Sequence, residues 1–215
     1  LTSELPEQSN RQEIFSFIET ELNELSSILA DSRSNEYGRV DKVAAWALLS
    51  RLYLNAPVYI GSDMSSQVVA NAEKVISSSY SLNTSDGNGN GSAYDELFLA
   101  DNNTNGAQNE FIFVIQFDGL NSQTWGGGTF MVHAPIGGSM DPSIFGVNGG
   151  WGGLRTTKAL VDKFEYSITA KDGDGYPIAW SDSRAMFHTD GQNYEMEKVA
   201  PFKEGYGVTK FRNVD

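Results

Sequence analysis

The stretch Val43-Ala44-Ala45-Trp46-Ala47-Leu48-Leu49-Ser50-Arg51-Leu52-Tyr53-Leu54 is apolar almost all round when wound as a helix. A helix with no polar face has to lie inside other structure, so this segment predicts a layer of helices around it. Asp41 supplies an N-cap for it, and it should stop before Pro57. Upstream, Ile14, Ile18, Leu22, Leu25 and Leu29 recur at spacings of four and three, which lays one apolar stripe along a first helix. A third helix is expected around residues 66 to 79, with Val68, Ala72 and Val75 on one face. Trp46, Leu49 and Tyr53 follow the spacing of a tetratricopeptide repeat, with Ser50 at its glycine position; an ordinary buried helix accounts for them equally. Paired-helix arrays need roughly three repeats to be stable, and this chain supplies about one and a half. The face of Trp46 and Tyr53 is therefore expected to pack on polypeptide beyond this sequence, which reads as a piece of a longer protein.

The text changes after residue 80. Asn83 to Ser92 is loop chemistry throughout, and Asp172-Gly173-Asp174-Gly175 reads as a hairpin turn. Phe111 to Phe117 has the composition of a buried strand, and Thr129 to Val132 of a second short one. A helix is expected from Thr156 to Glu165, burying Leu160, Val161 and Phe164. The predicted fold is thus mostly α, with an irregular loop-rich region and a few short strands. Residues 1–80 form the helical part and 81–215 the loop-rich part of one domain.

Composition removes several functions. A formal net charge of −13 repels phosphate backbones and anionic lipid, so nucleic acid is not an expected partner. With no cysteine there is no thiolate nucleophile and no cysteine-ligated zinc. No apolar run is long enough to span a bilayer. His133 and His188 lie outside any metalloprotease or nucleophile-elbow pattern, so each is read as structural or exposed. The glycine-rich stretches lack the pattern and the strand–turn–helix context of a phosphate cradle. The chain is accordingly read as a non-enzyme. A carbohydrate-active enzyme with unrecognised carboxylates stays open, because a linear sequence cannot place two carboxylates across a sugar.

Asp86-x-Asn88-x-Asn90-Gly91 and Asp101-x-Asn103-x-Asn105-Gly106 both copy the opening of a calcium-binding EF-hand loop. The bidentate glutamate of such a loop is replaced by Leu97 and Ile112, so each would offer a single carboxylate. Flexible Asn/Gly loop is the plainer reading of both. Trp125 and Trp151 each stand among glycines, with no periodicity to carry them into a core. An indole pairs a broad apolar face with a polar edge and suits a pyranose ring. Either the pair forms a sugar platform, or each plugs its loop onto the core.

Four segments carry a resemblance. Gly38 to Ala56, the pair Tyr94-Asp95-Glu96-Leu97-Phe98 and Asn109-Glu110-Phe111-Ile112-Phe113, and Asn148 to Lys158 resemble, in order, the SusD/RagB family. That resemblance implies tetratricopeptide-like helix pairs packed against a loop region that carries the ligand site. It implies a lipid-anchored, outward-facing protein of the outer membrane in Bacteroidetes, whose anchor and outer helices lie outside this sequence. It implies glycan capture, with starch or maltooligosaccharide as first guess, and delivery to a SusC-like TonB-dependent transporter; RagB-type members that take peptides are the alternative. Two aromatic platforms of the starch-binding member fall on Trp125 and Trp151. Its calcium falls near Asp101 and Asn103, where this chain has an amide in place of an expected carboxylate.

Overall fold

The computed structural model describes residues 7–213, which divide into two compact units. The first comprises the N-terminal residues to Leu82 together with Asn109–Gln116; the second comprises Asn83–Gln108 and the residues from Phe117 onward.

The first unit is helical. Helix α1 (Arg11–Ile28) begins in a reciprocal cap: the Asn10 side chain accepts from the Glu13 amide at 2.9 Å, and the Glu13 carboxylate accepts from the Asn10 amide at 3.0 Å. Helices α2 (Lys42–Leu54), α3 (Ala56–Ile60) and α4 (Ser65–Ile76) follow. Their core is Phe15, Leu22, Ala45, Leu49, Leu52, Tyr53 and Ala56. The stripe on α1 differs from the expected one: Phe15 is buried while Ile14 stands half exposed. The reason is the Phe15–Tyr53 ring contact at 6.5 Å, which turns the helix toward the larger side chain. The same contact covers Tyr53, which is 5% exposed without any further polypeptide. Trp46 is half buried, with the Lys74 ammonium 5.8 Å from its ring.

Asp41 does more than cap α2. Its buried carboxylate accepts from the amides of Val43 and Arg33, at 2.9 and 2.8 Å, and from the Tyr80 hydroxyl at 2.8 Å. Burial and the neighbouring Asp41 push the Tyr80 phenol up to about 12. The expected strand at 111–117 does not form. Among the described residues it has no ladder partner, and Phe113, Ile115 and Phe117 are largely exposed. Apolar, β-prone composition gives a strand only where a neighbouring edge is offered.

The second unit is held by turns, two small sheets and polar ties. Helix α5 (Gly127–His133) replaces the short strand expected at 129–132. Strand β1 (Arg155–Thr156) leads into helix α6 (Lys158–Val161), and a 3₁₀ segment continues it through Asp162–Ser167. This two-part helix buries Val161 but leaves Leu160 on the surface, contrary to expectation. Strands β2 (Ile168–Lys171) and β3 (Pro177–Trp180) form the hairpin around Asp172, with Ile168 opposite Trp180. Strand β5 (Tyr206–Val208) lies between β1 and β4 (Phe187–His188), antiparallel to both. Trp180 packs edge-on against Phe187 and Tyr206, and the Tyr206 hydroxyl donates to the Pro177 carbonyl at 2.9 Å. Arg155 ties the turns together by donating to the carbonyls of Gly153, Val199, Pro201 and Glu204. Arg212 pairs with the buried Asp95 at 2.6 Å. Among the described residues no helix is long and apolar enough to cross a membrane.

Candidate functional site

The site grows from one backbone tie between two segments. The amides of Trp151, Gly152, Gly153 and Leu154 donate to the carbonyls of His133, Ile136, Ala134 and Ala134, at 2.8 to 2.9 Å. The segment after Gly149 therefore lies flat on the end of α5. Gly150 makes this possible, since a Cβ there would fall 2.1 Å from the Ile136 carbonyl oxygen. Gly150, next to Trp151, thus serves close backbone packing.

On α5, Phe130 and His133 are three residues apart and so share a face. Both rings meet Trp151. His133 stacks on the indole at 5.2 Å and 19°, and Phe130 meets it at 6.1 Å and 56°. The imidazole is fixed in turn by a 2.8 Å hydrogen bond between Nδ1 and the Gly149 carbonyl. Just before α5, Gly127 has φ +57°, and a Cβ on it would strike the Phe117 ring at 2.6 Å. That sharp entry leaves Trp125 beside the cluster, 6.1 Å from Trp151 with the ring planes inclined at 49°.

Sequence far apart is thereby brought together: the two tryptophans form one continuous aromatic surface. Trp125 is 82% exposed and Trp151 42%. His133 stacks on one face of Trp151, and the residue keeps its 42% exposure beside Trp125. Such a surface offers dispersion and C–H/π contact to a flat apolar ligand face. Phe130 and His133 are site residues that sequence reading missed. Their spacing of three beside Trp125 was the available signal, hidden by reading 129–132 as a strand.

The remaining candidates lie elsewhere. Asp101 and Asn103 occupy a turn in which the Asp101 carboxylate accepts from the Asn105 amide at 3.2 Å; that same amide also donates to the Glu96 carboxylate at 2.8 Å. The position between the two carboxylates is thus filled by a neutral donor, and the Asn103 side chain is exposed. As arranged, these residues do not fit a calcium ion. Among the described residues no group of three or more His, Cys, Asp or Glu side chains is placed to hold a metal. In the parallel loop, Asp86 accepts from the amides of Asn90 and Gly91 at 3.0 and 2.7 Å. His188 Nε2 lies 3.0 Å from the Ser139 hydroxyl, but that hydroxyl donates to the Asp190 carbonyl at 2.9 Å, so the imidazole is not taking its proton.

No protein-family profile matches the chain. Among curated proteins, it is 37% identical over 164 residues to the starch-binding protein SusD of Bacteroides thetaiotaomicron; the alignment covers 76% of this chain and 28% of SusD. Among solved structures, a SusD-like protein from Bacteroides fragilis covers 96% of this chain and 35% of its own length, with a TM-score of 0.52 and 24% identity. The chain therefore spans roughly a third or less of the length of these relatives, and the structural likeness carries the fold alone. By its aligned identity with SusD and its SusD-like fold, the chain belongs to the SusD/RagB family.

Proposed function

We propose that this chain is the glycan-binding part of a cell-surface protein and performs no chemistry of its own. The observation that carries the reading is the Trp125–Trp151 surface, with its indoles 6.1 Å apart, inclined at 49° and backed by His133. Pyranose rings stack on such faces through their C–H bonds, while their hydroxyls stay in water or reach polar neighbours. Two inclined platforms suit successive sugars of a curved chain better than a flat ribbon. That supports an α-linked glucan such as maltooligosaccharide, the ligand class named for the starch-binding relative. The full-length protein is proposed to sit outward-facing at the outer membrane on a lipid anchor. There it would pass its glycan to a SusC-like TonB-dependent transporter. Calcium at Asp101 and Asn103 forms no part of this proposal.

Calorimetry on the full-length protein tests the site. Maltoheptaose, a fructo-oligosaccharide, a β-glucan oligosaccharide and a peptide library are titrated into the wild type and into Trp125→Ala and Trp151→Ala. Each substitution is expected to weaken maltoheptaose binding by roughly 1–3 kcal/mol, about ten- to a hundredfold, with fold stability unchanged for Trp125→Ala. Unchanged affinity in both variants removes the platform. Preferential peptide capture moves the protein to the peptide-binding branch. New reducing ends that vanish on replacing one carboxylate would make it an enzyme.

A further inference from the structure

The second unit holds a cavity of about 370 Å³, within the range of small-ligand sites and lined by none of the platform residues. Its charged lining is wholly cationic, being Lys163, Arg184 and Lys210, in a chain whose formal net charge is −13. Two of these cations lack a carboxylate. Lys163 makes no hydrogen bond or ion pair with any described residue. Lys210 is half buried, and its ammonium is met only by the Tyr94 hydroxyl and by the ring faces of Phe98 at 4.0 Å and Tyr94 at 4.7 Å. Removing an ammonium from water without a counter-charge is costly, and phenol and ring faces repay only part of that cost. Arg184 is oriented by Asp182 through Nε and Nη2 and donates through Nη2 to Tyr166 as well, while Nη1 has no acceptor among the described residues. With that edge of the guanidinium already paired to Asp182, Arg184 has only Nη1 to offer a ligand, and the unpaired Lys163 and Lys210 supply the net positive charge.

The walls between these cations are not those of a simple anion hole. Phe164, Tyr166 and Phe187 line the cavity, and Tyr166 brings a hydroxyl. Inorganic phosphate would use the cations and waste the rings; a neutral sugar would use the rings and leave the cations unpaired. A pyranose bearing a carboxylate uses both. We propose that this cavity is a second saccharide site, selective for a uronate, and that it acts independently of the tryptophan platform.

The test is calorimetry on the full-length protein with an oligogalacturonate, a neutral galacto-oligosaccharide of equal length, and inorganic sulfate. The oligogalacturonate is expected to bind at least tenfold more tightly than the neutral analogue, with affinity that falls as salt is raised. Lys163→Gln alters an exposed, unpaired side chain and should leave the fold intact while weakening uronate binding several-fold. Arg184→Gln, which removes a guanidinium already paired with Asp182, should weaken it less. Trp151→Ala should leave uronate binding unchanged, so failure here and failure of the platform are told apart. Equal affinity for acidic and neutral sugars overturns the proposal, as does uronate binding indifferent to both cavity variants. Sulfate competing as effectively as the uronate overturns the sugar assignment.

Discussion

The two units are built on opposite principles. The helical unit satisfies its backbone locally around an apolar core, and its buried carboxylate, Asp41, receives two amides and a hydroxyl. The loop-rich unit has little regular structure. It closes instead through side chains that reach distant backbone or a distant charge: Arg155 to four carbonyls, Tyr206 to Pro177, Arg212 to Asp95. The difference teaches where each unit is vulnerable. Periodic apolar burial spreads stability over many residues, whereas polar ties gather it into a few.

The largest effect is expected at Arg212. Its pair with Asp95 is largely buried, at 20% and 4% side-chain exposure, so Arg212→Ala leaves a carboxylate with only the Asn90 amide as partner. Breaking such a pair costs about 3–5 kcal/mol. Hydrogen exchange resolved by peptide should show faster exchange around residues 86–98 with the helical unit unaffected. Asp41→Ala should cost less, about 2–3 kcal/mol, as the loss of a cap and of buried acceptors. Its exchange signature should fall on residues 30–54. A larger loss at Asp41 than at Arg212 would break the comparison, because it would make the helical unit the more dependent on a single polar group. The smallest effect is expected at Asp118. Amides of Leu120, Asn121 and Ser122 and the Asn121 side chain donate to its exposed carboxylate, holding it well below the usual carboxylate range. A depressed carboxylate stabilises its turn fully above the free-Asp value of about 4, and that contribution is lost as pH falls through the folded value. Amide resonances of Leu120–Ser122 should accordingly shift on acidification, and Asp118→Asn should abolish the transition.

Much of the helical unit was readable because its signals are local. Asp41 as N-cap and the face of α4 each lie within a few turns of chain; α2, expected to be buried all round, is buried on one side only and leaves Leu48 and Leu54 exposed. The stripe on α1 holds at Leu22 but takes Phe15 in place of Ile14, a choice made by Tyr53, far along the sequence. The loop-rich unit was readable only in its turns. The hairpin at Asp172 announces itself, but the cluster of Trp125, Phe130, His133 and Trp151 depends on carbonyls of 133–136 meeting amides of 151–154, which no local pattern encodes. The two tryptophans were singled out by their glycine-flanked setting and again by the family resemblance. Neither supplied the rings that hold one of them in place.

The helical unit also reclaims Asn109–Gln116 after the chain has left to lay down residues 83–108. Within it, the Ser81 amide donates to the Asn109 carbonyl at 3.1 Å, and the Gln116 side chain donates to the Tyr37 carbonyl at 3.0 Å. During synthesis, which proceeds from the N-terminus, the helices can collapse on one another as soon as they emerge. Their layer is not finished until residue 116 is out, and by then part of the second unit has already been made. Order along the chain and order of completion therefore differ: the first unit to start receives its last segment only after residues 83–108 of the second have been made.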